Sequence, residues 1–346
     1  MSPEELQAFG VTEEEERLLQ EWLRARMGTI LGADGRGGTG TFIQLKDGRV
    51  ALLTARHVVV RCILTGAMTA DRLTRASNPS RSVEPCAIRI DSRKDAALLF
   101  FREGELPGEF VPYDEWAPAL PELAAGMAII VAGVVGEWKE IDLATRTIPT
   151  TKWLHFWTGI TDPQGHGGFI VCDVNEADTR LPSSFGGMSG GPCISPRRRL
   201  LGVNTAEIRR KAGSTVGEFF VTRLTDLGNL FSPYVPPPHA PTDYMHQKAC
   251  LSFRAVSRKD RRVDVAAAVM VEYFWSRSNP DAPEGRVGRI IGARFGDAGA
   301  GGRYVINTES VFRWYDGDSN EDRLRALYEE LAFFLQDTGF DLVHES

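Results

Sequence analysis

The feature that most constrains how this chain can fold is a succession of short apolar runs separated by turn residues. "TFIQLKDGRVALLTA" (41–55) is two alternating runs across a Lys-Asp-Gly turn, which is a hairpin signal. "AIIVAGVV" (128–135), "GGFIVCDV" (167–174), "LLGVN" (200–204) and "GEFFVTRL" (217–224) continue the series at the spacing of an all-β barrel protein. The chain has 346 residues and is 42% hydrophobic, enough for a large core, so one domain of about 200 residues plus attachments is expected.

The attachments lie at both ends. Residues 1–28 read as an amphipathic helix: Thr12 and Glu15 have capping-box spacing, Leu18, Leu19, Trp22, Leu23 and Met27 fall on one face, and Gly28 stops the run. Residues 231–244, "FSPYVPPPHAPTDY", are rich in proline, which cannot donate a backbone hydrogen bond, and read as an extended linker. Residues 245–346 then read as an α+β accessory domain expected to fold as a separate unit. "VAAAVMVEYFW" (265–275) fits a helix or a strand, "RVGRIIGARF" and "GRYVIN" look like strands, and the end is a helix. Ser319 and Asp322 cap that helix, Leu324, Leu327, Leu331 and Phe334 form its stripe, and Gly339 ends it.

Chemistry concentrates in "LPSSFGGMSGGPCIS" (181–195), where four glycines surround Ser189. A glycine-rich turn is the plain reading. The alternative is a nucleophile: small neighbours let a carbonyl carbon reach the hydroxyl, and Gly187 can take backbone angles that turn its N–H toward the N–H of Ser189, forming an oxyanion hole. Such a serine needs a base and an orienting carboxylate. "VALLTARHVVV" sets His57 just past the end of an apolar strand, and "RKDAALLFF" sets Asp95 at the mouth of another. Asp91, four residues earlier, competes with Asp95, but the apolar run after Asp95 favours it as the buried partner of an imidazole.

TARHVV, DAALL and GGMSGGP, in this order, resemble the three catalytic blocks of the trypsin-like (chymotrypsin-fold) serine peptidases, and the resemblance covers residues 29–230. The separations also fit, 38 residues from His57 to Asp95 and 94 from Asp95 to Ser189. The resemblance implies a mainly β fold of two six-stranded barrels with His57, Asp95 and Ser189 in the cleft between them. It implies a serine endopeptidase, possessing no cofactor and no metal, that acts on protein or peptide substrates. Counting back without gaps puts Ser183 at the base of the primary pocket and Thr205, Ala206 and Glu207 along the strand that lines it. Glu207 stands where glycine commonly keeps that pocket open, and either narrows it, offers a charge to Lys or Arg, or simply faces solvent.

Two departures matter. Where digestive members carry an aspartate before the serine, this chain has Met188, so the oxyanion hole must be held by packing or switched by another means. Where many secreted members have a cysteine after the histidine, it has Val58. The five cysteines, 62, 86, 172, 193 and 250, form an odd set without close-paired spacing, which suits reduced thiols. Together with an acidic N-terminus that lacks the features of a secretion signal, they point to the cytoplasm. A net charge of −6 argues against a nucleic-acid binder, the mixed-sign cluster Arg258–Arg262 reads as a solvated turn, and no apolar run is long enough to span a membrane. A non-catalytic binding scaffold is the rival function. A dormant effector protease of a stress or defence system, released by a partner at the tail or N-terminal helix, is a third.

Overall fold

The structure is a computed structural model that describes residues 9–32, 37–64, 68–72, 83–91, 94–105, 108–116, 123–135, 152–165, 169–173, 186–208, 218–231, 244–257, 264–276, 286–295, 306–308, 311–313, 325–329, 331–332 and 340–343. It is mainly β. Helix α1 (Glu13–Arg26) opens with the expected capping box, Thr12 receiving Glu15 N–H while the Glu15 carboxylate accepts from Thr12 N–H. The helix stops at Arg26, one residue before Met27 opens strand β1 (Met27–Gly32), so Gly28 is a strand residue and nothing separates the helix from the strands. Leu19, Trp22, Leu23 and Met27 are buried, but Leu18 is exposed: it sits on the shoulder of the stripe while Glu16 turns inward.

Strands β1, β2 (Gly37–Gln44), β3 (Val50–Thr54), β4 (Met68–Arg72), β5 (Ala87–Asp91) and β6 (Ala96–Phe100) form a six-stranded half-barrel ordered β5-β6-β3-β2-β1-β4. The predicted hairpin is β2–β3, with Gln44 opposite Val50 and Gly48 at φ +84° in its turn. Strands β7 (Ala128–Val135), β8 (Lys152–Gly165), β9 (Phe169–Asp173), β10 (Pro192–Ile194), β11 (Leu200–Ile208) and β12 (Glu218–Arg223) close into a barrel ordered β10-β11-β12-β9-β8-β7. Its interior holds Ile129, Val131, Ile160, Ile170, Cys172, Cys193, Phe219 and Val221. The two sets of strands meet through a second apolar layer in which Ile43, Leu53 and Leu98 pack with Ile130, Ile194 and Leu200, and in which α1 buries Leu19 and Leu23.

The half-barrel is where the expected architecture changes. Instead of closing on itself, its β5 edge pairs in parallel with β16 (Ile306–Thr308), Ile88 opposite Ile306. Through β16 the sheet runs on into β15 (Arg286–Phe295), β14 (Asp264–Ser276), β13 (Tyr244–Ser257) and β18 (Phe340–Val343), with β17 (Val311–Arg313) on β15. The ambiguous run 265–275 is therefore a strand. Phe253, Ala255, Val269, Val271, Leu327 and Leu331 belong to the same buried cluster as Ile30, Leu52, Val59, Ile88 and Leu99. Strands of the C-terminal segment and the helical residues 325–329 and 331–332 thus share a buried apolar cluster with the half-barrel. Residues 232–243 of the linker, the cluster Arg258–Arg262, and Ser319, Asp322, Leu324, Phe334 and Gly339 lie outside the described residues. Among those described, no helix is long and apolar enough to cross a membrane.

Candidate active site

Strand β3 runs apolar from Val50 to Thr54 and hands over through Ala55 to helix α2 (Arg56–Leu64), so His57 sits in the first turn of a helix anchored by buried Val58, Val59 and Val60. Asp95 precedes β6, which pairs with β3 at Thr54↔Ala97, and this pairing carries the carboxylate to the imidazole. One carboxylate oxygen, Oδ2, lies 2.6 Å from His57 Nδ1; the other, Oδ1, accepts the backbone N–H of His57 at 2.9 Å. Asp95 thereby holds both the ring and the start of the helix. The competing Asp91 is used elsewhere, its Oδ1 accepting Lys94 N–H at 2.9 Å.

Burial alone pushes the Asp95 carboxyl upward. The charge of His57, hydrogen bonds from its ring and backbone, and the Arg56 guanidinium at 3.9 Å more than offset this, and the carboxyl is held below the ordinary carboxylate range. An ionised carboxylate only accepts, so Nδ1 carries the ring proton and donates it, leaving Nε2 with its lone pair as a base. Arg56, only 3% exposed, is a buried cation at this carboxylate that the sequence reading did not single out.

Ser189 lies in the turn Gly186–Gly190 between the two barrels. Its carbonyl accepts Thr39 N–H of β2 at 2.9 Å, and Gly190 N–H donates to Asn204 O of β11 at 2.7 Å. The turn is pressed against the half-barrel: a Cβ at Gly190, where φ is +87°, would lie 2.1 Å from Thr39 O and Thr54 Oγ1, and a Cβ at Gly38 would lie 2.7 Å from Ser189 O and from a Val58 methyl. This packing sets the backbone of Ser189 beside the start of α2, and the Ser189 side chain is partly exposed while Gly187, Met188 and Gly190 are buried. Gly187 has φ +102°, backbone that a residue with a Cβ rarely adopts. The Met188 side chain enters the closed barrel's core with Val131, Cys193 and Val221.

The pocket residues inferred by counting separate. Thr205 is buried in β11, its hydroxyl donating to Phe220 O at 3.0 Å, and Ala206 is exposed after a bulge. Glu207 pairs with Phe219 in the β11–β12 ladder, its side chain outside the described residues, as is Ser183 altogether. Among the described residues no group of three His, Cys, Asp or Glu side chains could hold a metal ion. Thr39 and Asn204 were missed; Thr39 alone had a signal, as the one residue with a hydroxyl inside the small-residue run Gly37–Gly40.

A closed six-stranded barrel joined to a six-stranded half-barrel, with the His57–Asp95 pair and the Ser189 turn at their junction, is the chymotrypsin-like fold. Solved structures similar to it include the Rv3671c protease of M. tuberculosis in its inactive form (18% identity, 63% of this chain and 92% of that one, TM-score 0.41). The active form of that protease matches at 16% identity over 63% of this chain and 84% of the other, with TM-score 0.41. The MamO protease domain of Magnetospirillum magneticum matches at 12% identity over 61% of this chain and 98% of the other, with TM-score 0.42. No family model and no curated protein matches the sequence.

Proposed function

We propose that the protein is a serine endopeptidase working through an acyl-enzyme. His57 Nε2 takes the proton of Ser189 Oγ as that oxygen attacks the carbonyl carbon of a peptide bond; Asp95 holds the imidazole tautomer and stabilises the imidazolium. The N–H groups of Gly187 and Ser189 receive the oxyanion, and the imidazolium then protonates the leaving amine. Water, deprotonated by the same imidazole, attacks the acyl carbonyl and releases Ser189. The single observation that carries this reading is the two-point grip of Asp95 on His57, at 2.6 and 2.9 Å, in a carboxylate that His57 and Arg56 keep ionised against its burial.

Substrates are proteins or peptides. The reaction belongs to the cytoplasm, a reading supported by the odd set of five cysteines without close-paired spacing. Its place is that of an effector held under control by a partner at α1 or at the C-terminal strands. A fluorophosphonate probe, which phosphonylates an activated serine, is expected to label the protein at Ser189 and not to label Ser189→Ala. Labelling that persists in Ser189→Ala refutes the assignment; absence of labelling in the native protein leaves the barrels as a binding scaffold.

A further inference from the structure

Met188 leaves the nucleophile turn without a carboxylate that a charged group could anchor, yet the turn is pinned on both sides by uncharged hydrogen bonds. Thr39 is fully buried in β2 and uses every polar atom it has. Its N–H donates to Ser189 O at 2.9 Å and its hydroxyl donates to Gly187 O at 2.8 Å. The same hydroxyl accepts Val134 N–H of β7 at 2.9 Å, and its carbonyl accepts the Thr54 hydroxyl at 2.6 Å. On the opposite side Asn204, 3% exposed, donates from Nδ2 to Met188 O at 3.3 Å, while its backbone exchanges hydrogen bonds with Gly190 and Gly191.

We propose that Thr39 is the positioning residue of the oxyanion hole, setting the peptide plane after Gly187 by a neutral bridge from the half-barrel to the closed barrel. Gly187, at φ +102°, has the freedom to rotate its N–H out of the hollow beside Ser189. The carbonyls of Gly187 and Ser189 are both tied to one threonine, so the Gly187–Met188 and Ser189–Gly190 peptides are held on either side of the Met188–Ser189 peptide that carries the Ser189 N–H. That threonine is itself held by a strand of each barrel, at Thr54 and Val134, and no ionised group takes part. A neutral clamp of this kind needs no newly exposed amine to form, and pH does not undo it. Asn204 and the buried Met188 side chain hold the far side of the turn against the closed barrel.

This inference rests on the peptidase reading for its consequence, but not for its test. Thr39→Val keeps the shape and removes the hydroxyl, leaving Gly187 O and Val134 N–H unbridged; Thr39→Ser keeps the hydroxyl. In full-length protein, amide exchange over residues 186–191 is expected to quicken at least tenfold in Thr39→Val, with the interior strands of both barrels unchanged, and to return to the native rate in Thr39→Ser. Fluorophosphonate labelling should fall about 10²-fold in Thr39→Val, in the range seen when an oxyanion donor is lost. With a peptide reporter kcat should fall while KM stays within about threefold, because the oxyanion forms only in the transition state. Unchanged exchange over 186–191, or exchange that quickens equally throughout both barrels, overturns the role of Thr39. Native protein that is never labelled overturns the peptidase reading instead, and the exchange ratio still decides whether Thr39 fixes the turn.

Discussion

Replacing Glu16 by Gln tests how α1 is fastened to the barrels. Glu16 is an acid on the buried side of the helix, 6% exposed, and its carboxylate accepts from His155 Nε2, from Trp157 Nε1 at 2.9 Å and from Gln20 Nε2 at 3.2 Å. Trp153 stacks on His155 and Arg24 lies over Trp153. Burial pushes this carboxyl upward, but the hydrogen bonds and charge of His155 and the donors of Trp157 and Gln20 outweigh it, and the group is held at about 2 against 4.5 in the unfolded chain. At about 1.4 kcal/mol per tenfold change in proton affinity, the ionised carboxylate contributes about 3 kcal/mol to docking of the helix. The contribution is complete above pH 4.5 and is lost as pH falls toward 2, because the undocked helix then binds the proton that the docked one excludes. Glutamine keeps the shape and an acceptor but not the charge, so amide exchange of residues 13–26 in Glu16→Gln should run about 10²-fold faster than native at pH 7 and only about tenfold faster at pH 3. A ratio below threefold at pH 7, or one that is the same at both pH values, refutes the reasoning.

Asp95→Asn should leave the protein folded but stabilise the wrong imidazole tautomer, lowering turnover of a peptide reporter by about 10⁴-fold; a harmless Asp95→Asn together with an inactive Asp91→Asn would transfer the role to Asp91. Because the Asp95 carboxyl is held below its ordinary range, the stability it lends is present at neutral pH and lost on acidification, so urea midpoints of native protein and Asp95→Asn should converge below about pH 4. A chain truncated after Pro233 loses Phe253, Val269, Val271, Leu327 and Leu331 from the cluster that fills the half-barrel. At about 1.5–3 kcal/mol for each large side chain, that loss is comparable with the whole stability of a domain, and the truncated protein should be insoluble or bind hydrophobic dyes; a soluble, cooperatively melting product would show that the half-barrel stands alone.

What the sequence determined by itself is what depends on near neighbours. Alternation in 41–55 defined the β2–β3 hairpin, the Thr12–Glu15 pair defined the start of α1, and a polar end to an apolar strand located His57, because side-chain period and capping are local properties. The choice between Asp95 and Asp91 was legible only as a preference, since four residues of chain do not say which carboxylate meets a ring 38 residues away; the β3–β6 pairing says it. The tail shows the limit most clearly. A proline-rich break reads as a boundary, but whether two segments share a core depends on which apolar faces remain uncovered. An open edge at β5 and an uncovered half-barrel face become visible only when the barrel fails to close and β16 pairs there. Thr39 was hidden for the same reason: its hydroxyl stands out among the glycines of 37–40, but it becomes a bridge only because Gly187, Ser189 and Val134, each at least 95 residues away, are brought within hydrogen-bonding distance of it.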